Sequence, residues 1–165
     1  MFGCSDTPRR MDGLKRIYAR NCEVRRIERK VSGPFFQSFH RLGDTRCRYT
    51  YGLFTIKEQE GIPAGTLVAV AGFSGPRKWL KSGREVRSYE WVRYASLEGL
   101  GVDGGMGKLL KAFIAEVGPD DVMSYADASW SDGDVYRKLG FTQEQSKTFP
   151  DGSRSLKFRL KLAGY

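Results

Sequence analysis

The sequence predicts an α/β (α+β) domain with a mixed, mostly antiparallel central sheet flanked by helices. Three observations predict it. Strand-like segments rich in Thr, Val, Tyr and Phe come first, joined by a polar connection. A strand, a glycine turn, an amphipathic helix and another strand follow, the unit that parallel pairing requires. A hairpin around Pro150-Asp151-Gly152 closes the chain.

Residues 1–20 mix Pro, Gly, Asp, Arg and Lys with little periodicity, and are expected to form a basic arm ahead of a single domain over 21–165. Cys22–Lys30 alternates apolar and charged residues as a half-exposed strand does. Ser32-Gly33-Pro34 is expected to open a helix over Phe35–Leu42, with apolar residues at 35, 36, 39 and 42 and the proline in the first turn. Tyr49–Lys57 and Thr66–Phe73 are expected strands of a hairpin. Gly75–Gly83 is expected to be a loop before a third long strand, Val86–Ser96. Gly104–Glu116 predicts a glycine turn and then a helix, with Leu109, Leu110, Phe113 and Ile114 on one face. Val122–Ala126 is a short strand, and Asp132–Leu139 a helix ended by Gly140. Phe141–Lys147 and Leu156–Leu162 complete the sheet.

The length of 165 residues fits one domain, and 40% hydrophobic and 13% aromatic content is globular rather than disordered. No apolar run reaches the roughly 18 residues of a membrane span, and the N-terminus lacks an apolar signal region. A cytoplasmic protein with no membrane partner is therefore expected. Cys4, Cys22 and Cys47 are odd in number and lack CxxC spacing, which argues against a disulfide framework and a metal site. The net charge is +9, and it is uneven. Residues 1–60 hold 13 Lys or Arg against 7 Asp or Glu, residues 61–143 are balanced, and residues 144–165 hold 5 against 2. Basic ends make DNA a possible partner; a solvated basic surface is the plainer alternative.

The segment Tyr89–Phe113 carries the first chemistry. A strand leads into a glycine loop that opens a helix. The first helical N–H groups lack intrahelical partners and the macrodipole places positive potential there. Gly104, Gly105 and Gly107, with Met106 between them, would let backbone approach a pyrophosphate, and Lys108 could add charge. A simple tight turn is the alternative. The Walker spacing and the dinucleotide fingerprint are both absent.

The second segment, Val122–Phe141, ends Tyr136-Arg137-Lys138-Leu139-Gly140-Phe141. With the preceding loop in this order and spacing, it resembles the GNAT acetyltransferase superfamily, whose signature is Y-x-K-L-G-F. Asp103 stands where that family's loop often has a basic residue. In motif the chain is similar to phage-type members, including Mom-like DNA-modification proteins, through Glu90, Arg93, Gly104, Gly105, Lys108, Ser124, Asp127 and Tyr136. The resemblance implies acetyl-CoA or another acyl-CoA as cofactor and transfer to an amine. Modification of a DNA base and a non-catalytic binding protein are the alternatives it leaves.

Roles follow from chemistry. N-acyl transfer needs a base for the amine and an acid for the leaving thiolate. Tyr136 is the candidate acid and also a cofactor contact. Glu90, between Tyr89 and Trp91, is a candidate base whose burial would raise its pKa. Asp127 and the lone His40 are further catalytic candidates. Strict alternation puts Glu90 and Arg93 on opposite faces, so they pair only if a bulge intervenes. Arg93, Ser124 and Trp130 are candidate substrate contacts. Ser129 stands where the family commonly has a cofactor-contacting Asn. Trp79 and Trp130 are loop aromatics that could stack on a base or cover the core edge.

Overall fold

The computed structural model describes residues 15–129 and 133–165. The chain opens with β1, Lys15–Tyr18, a 3-10 turn at Ala19–Asn21, and β2, Cys22–Arg26. Helix α1 is Arg29–Phe39. Five strands follow: β3, Tyr49–Thr55; β4, Leu67–Phe73; β5, Arg77–Lys81; β6, Arg84–Ser96; and β7, Leu100–Asp103. Helix α2 is Gly105–Val117, β8 Asp121–Asp127 and α3 Asp134–Lys138; β9, Thr142–Thr148, and β10, Arg154–Lys161, end the sheet.

The main sheet runs β2-β3-β4-β6-β8-β10-β9, with β5 folded onto the start of β6. Its pairs are antiparallel except β6 with β8, which run parallel over Ser88–Glu90 and Asp121–Met123. That single parallel pair is closed by the β7–α2 crossover, as chain direction demands. The mixed, mostly antiparallel sheet with flanking helices is the expected fold class.

The two faces bury separate apolar sets. Helix α2 covers one face: the Phe113 ring stacks on Phe73 at 4.0 Å between centroids and meets Tyr89 edge-on at 5.4 Å. Helix α1 covers the other with Phe35 and Phe36 on Val70 and Ala95. Edge strand β9 is exposed along its whole length and polar, which discourages pairing with another chain.

Several elements differ from the sequence expectation. Residues 15–20 join the fold: β1 pairs parallel with β7, from Lys15 with Leu100 to Tyr18 with Asp103. Their pairing is long-range and leaves no local periodic mark. Residues 1–14 of the expected arm lie outside the described residues. Helix α1 starts at Arg29, with Pro34 inside it. The amide that Pro34 lacks would have met the carbonyl of exposed Lys30, so the loss falls at the surface. The expected Gly75–Gly83 loop contains β5, turned back by Ser82 and Gly83 with φ of 52° and 78°, the two positive values a tight hairpin turn needs. None of the helices among the described residues is long and apolar enough to cross a membrane.

Candidate functional site

The site begins where β6 and β8 separate. Their last paired residues are Glu90 and Met123. Beyond that point β8 stays with β10, while β6 follows β4. The strands therefore fork. A cleft of about 740 Å³ runs from the end of β6 and β7 across the first turn of α2 to α3 and the end of α1. That volume is typical of a small-molecule site.

Strand β6 carries a bulge at the fork. Gly72 pairs Arg93 but Phe73 pairs Trp91, so Val92 is the extra residue. The exposed bulge carbonyls are taken by side chains of the same strand. The Trp91 indole donates to Arg93 O at 3.1 Å, and Arg93 Nη1 donates to Val92 O at 3.1 Å. The extra residue inverts the alternation after it. Tyr89, Trp91 and Tyr94 all enter the core under α2, whereas Ala95 joins the core under α1. Arg93 points to the α1 side with Glu90, its Nε donating to Gly43 O at 3.2 Å. Alternation alone had separated this pair; the bulge unites it. Burial raises the Glu90 pKa, opposed by the nearby cations of Arg77 and Arg93.

The glycine loop forms a floor of the cleft. Gly104 adopts φ 79° as the residue before α2, and the first intrahelical bond is Lys108 N–H to Gly104 O at 3.0 Å. The amides of Gly105, Met106 and Gly107 precede it and are the unpaired donors of the helix start. A side chain at Gly105 would meet Val102 at 3.0 Å and the Tyr94 hydroxyl at 3.2 Å. Close packing on Val102 and Tyr94 thus requires glycine at 105, and the unpaired amides of the helix start fit a diphosphate. Lys108, the expected phosphate cation, is turned to backbone carbonyls in this structure. Its Nζ donates to the carbonyls of Ala19 and Cys22 at 2.9 and 2.5 Å, pinning the 3-10 turn beside α2. Asp103 is paired with Arg16 at 2.8 Å, which offsets its charge beside the loop.

The remaining candidates fall in three places. Tyr136 is 1% exposed and does not line the cleft. Its ring stacks on Phe158 at 5.2 Å and meets Trp91 edge-on at 6.2 Å. Its hydroxyl lies 3.1 Å from Ser124 Oγ, which lies 3.1 Å from Trp91 O. The carbonyl can only accept, so the one Ser124 proton serves it and the phenol donates to Ser124. Ser124 and Tyr136 thus sit at the apex of the fork. His40 lines the cleft, and its Nδ1 accepts the Leu42 amide at 3.0 Å. Asp127 accepts the Ser129 amide and hydroxyl at 2.9 and 2.7 Å and faces Arg41 at 3.7 Å. Burial pushes the Asp127 carboxyl up, but these bonds and Arg41 bring it below its ordinary value. Ser129 is therefore part of the turn that Asp127 caps. Trp130 lies outside the described residues. Trp79 sits in β5, its indole donating to Ser88 Oγ at 2.7 Å and its ring against Tyr165, so it covers the core edge. Tyr94, Leu97 and Val102 line the cleft unanticipated, because only the bulge and β7 bring them there.

No family model matches the sequence, and no curated protein resembles it. Solved structures do match. FeeM, an N-acyl amino acid synthase from uncultured soil microbes, superposes with TM-score 0.52 at 13% identity over 94% of this chain and 93% of its own. This is the GNAT fold. A candidate phosphinothricin N-acetyltransferase gives TM-score 0.50 at 14% identity over 87% of this chain and 99% of its own. A candidate GNAT-family acetyltransferase from Bordetella pertussis gives 0.43 at 20% identity over 67% of this chain, which spans 64% of that protein. At such identities the first two likenesses show the fold alone, and the residues must supply the chemistry. The similar structures lend no support to the DNA-modifying, phage-type branch.

Proposed function

We propose that the chain is an N-acyltransferase that takes an acyl group from acetyl-CoA or another acyl-CoA and delivers it to an amine. One observation carries the reading: Gly105, Met106 and Gly107, whose amides start α2, line one cleft with His40, Arg41 and Tyr94, and Glu90 and Arg93 lie together on β6 just before Tyr94. Loop amides would hold the diphosphate of the donor. The bound donor supplies an activated acyl carbon and a thiolate that departs. Glu90, whose pKa burial raises against the pull of Arg77 and Arg93, is the residue proposed to take the amine proton. Tyr136 holds a proton at the apex of the fork, steered by Ser124, and is the residue proposed to protonate the departing sulfur. Its burial means that a productive complex must part the Trp91–Tyr136 contact. Arg41, at the mouth of the cleft and facing Asp127, is suited to orienting a polar acceptor.

Incubation with labelled acetyl-CoA and a panel of amines, including a DNA duplex, tests the reading. Label should pass to an amine, and acetyl-CoA should raise the melting temperature by mass action. A chain that neither binds nor turns over any acyl-CoA is not an acyltransferase.

A further inference from the structure

Three polar side chains gather at the root of the fork, on the α1 side of the sheet. Glu90 is the last residue of β6 paired with β8. Arg77 lies opposite Ser88 across the β5–β6 pair, so it shares the face of Ser88 and of Glu90 two residues on. Met123 of β8 lies opposite Glu90, and Tyr125 follows two residues later on that same face. The electrostatics agree with this placement. Burial and the Glu90 carboxylate raise the Tyr125 pKa, while Arg77 opposes both that shift and the rise at Glu90. Arg77 is exposed, and Glu90 and Tyr125 are half-buried. Among the described residues, none of these three side chains closes a hydrogen bond or an ion pair. Other acids of this face are committed. Asp121 and Glu144 both hold Arg159 at 2.9 Å, and Asp127 holds Ser129 and faces Arg41.

We infer that the acceptor is an amino acid, its amine set at Glu90 and its carboxylate held by Arg77, with the Tyr125 hydroxyl donating alongside. The inference rests on the acyltransferase reading and specifies its acceptor. A guanidinium presents paired donors that match a carboxylate, and such charge-assisted bonds are the stronger class. Neighbouring strands lie about 4.8 Å apart, so long Glu and Arg side chains on β6 and β5 converge on one small molecule. The charge balance favours the same class. Glu90 stands between Arg77 and the buried Arg93. A diamine would bring a second cation into that field and be repelled, whereas an amine with its own carboxylate offers Arg77 a counter-charge.

Transfer from labelled acetyl-CoA to the common L-amino acids, to their amides and to the matching decarboxylated amines tests this. At least one amino acid should be acylated with kcat/KM about tenfold or more above that of its amide. In Arg77→Gln that preference should fall to within about twofold. Any change in the Glu90 pKa acts on both substrates alike, so the ratio isolates the carboxylate contact. A urea midpoint equal to wild type confirms that this exposed change leaves the fold intact. Three results overturn the inference and leave the acyltransferase reading standing: wild-type transfer to amides or simple amines as fast as to the free acids, acetyl-CoA bound without transfer to any amino acid, or a full preference kept in Arg77→Gln. Failure both to bind acetyl-CoA and to acylate any amine overturns the two together.

Discussion

Glu90 and Arg93 stand on one face of β6 although they are three positions apart, because Val92 is looped out opposite the Gly72–Phe73 step. A carboxylate raised by burial and a buried guanidinium are thereby brought to the same side of the fork. The first prediction follows. A base must be ionised to accept a proton, and a raised pKa moves that requirement to higher pH. The acid limb of kcat/KM should therefore lie above the ordinary carboxylate range, with activity lost as pH falls through it. Glu90→Gln should lower kcat by about 10²–10⁴ and flatten that limb. A pH–rate profile unchanged by the substitution removes Glu90 as base.

Tyr136 and Ser124 share a hydrogen bond at the apex of the fork. Tyr136→Phe should lower kcat by about 10²–10³ with acyl-CoA affinity unchanged, since only proton delivery is lost. Stopped-flow turnover and equilibrium binding separate the two quantities. Full activity in Tyr136→Phe would transfer the acid role to another group, and Tyr94, the phenol that lines the cleft, is the next to substitute.

Lys108 ties α2 to the 3-10 turn through two backbone carbonyls. Lys108→Met should cost about 1–3 kcal/mol of stability, because it removes charge-assisted bonds to two partly buried acceptors. Urea denaturation reads the loss directly. A direct phosphate ligand would instead show its main effect in donor affinity.

Gly104 has φ 79°, where a Cβ is strained. Gly104→Ala should destabilise the fold by roughly 1–2 kcal/mol and weaken donor binding, since the loop must relax to lose that strain. Thermal melts with and without acetyl-CoA measure both effects.

Phe113 is fully buried among Phe73, Tyr49, Tyr51 and Tyr89. Phe113→Ala should cost about 3–5 kcal/mol through lost burial and an unfilled cavity. Equilibrium unfolding in urea gives the figure, and a cost under about 1 kcal/mol would mean the cluster repacks around the gap.

Much of this molecule is written in short-range pattern. Alternation marks β2, and Thr, Val, Tyr and Phe content marks β3 and β4. Helical spacing marks α2, and Gly140 closes the turn after α3. The glycine loop and the YRKLGF stretch are legible because a bare backbone turn and a helix end need particular residues in particular places. Residues 15–21, β5 and β7 were not legible, since their only support is a partner strand far along the chain or a two-residue turn.

By itself the sequence determined most of the kinds of elements, their order, and a glycine turn at the start of a helix, because periodicity and turn chemistry act between neighbours. Only the tertiary structure decided that Glu90 and Arg93 face one way, that Lys108 points to Ala19 and Cys22 rather than the cleft, and that Tyr136 rests against Ser124. Each of these depends on register between distant strands, and a one-residue slip in register reverses every side chain beyond it.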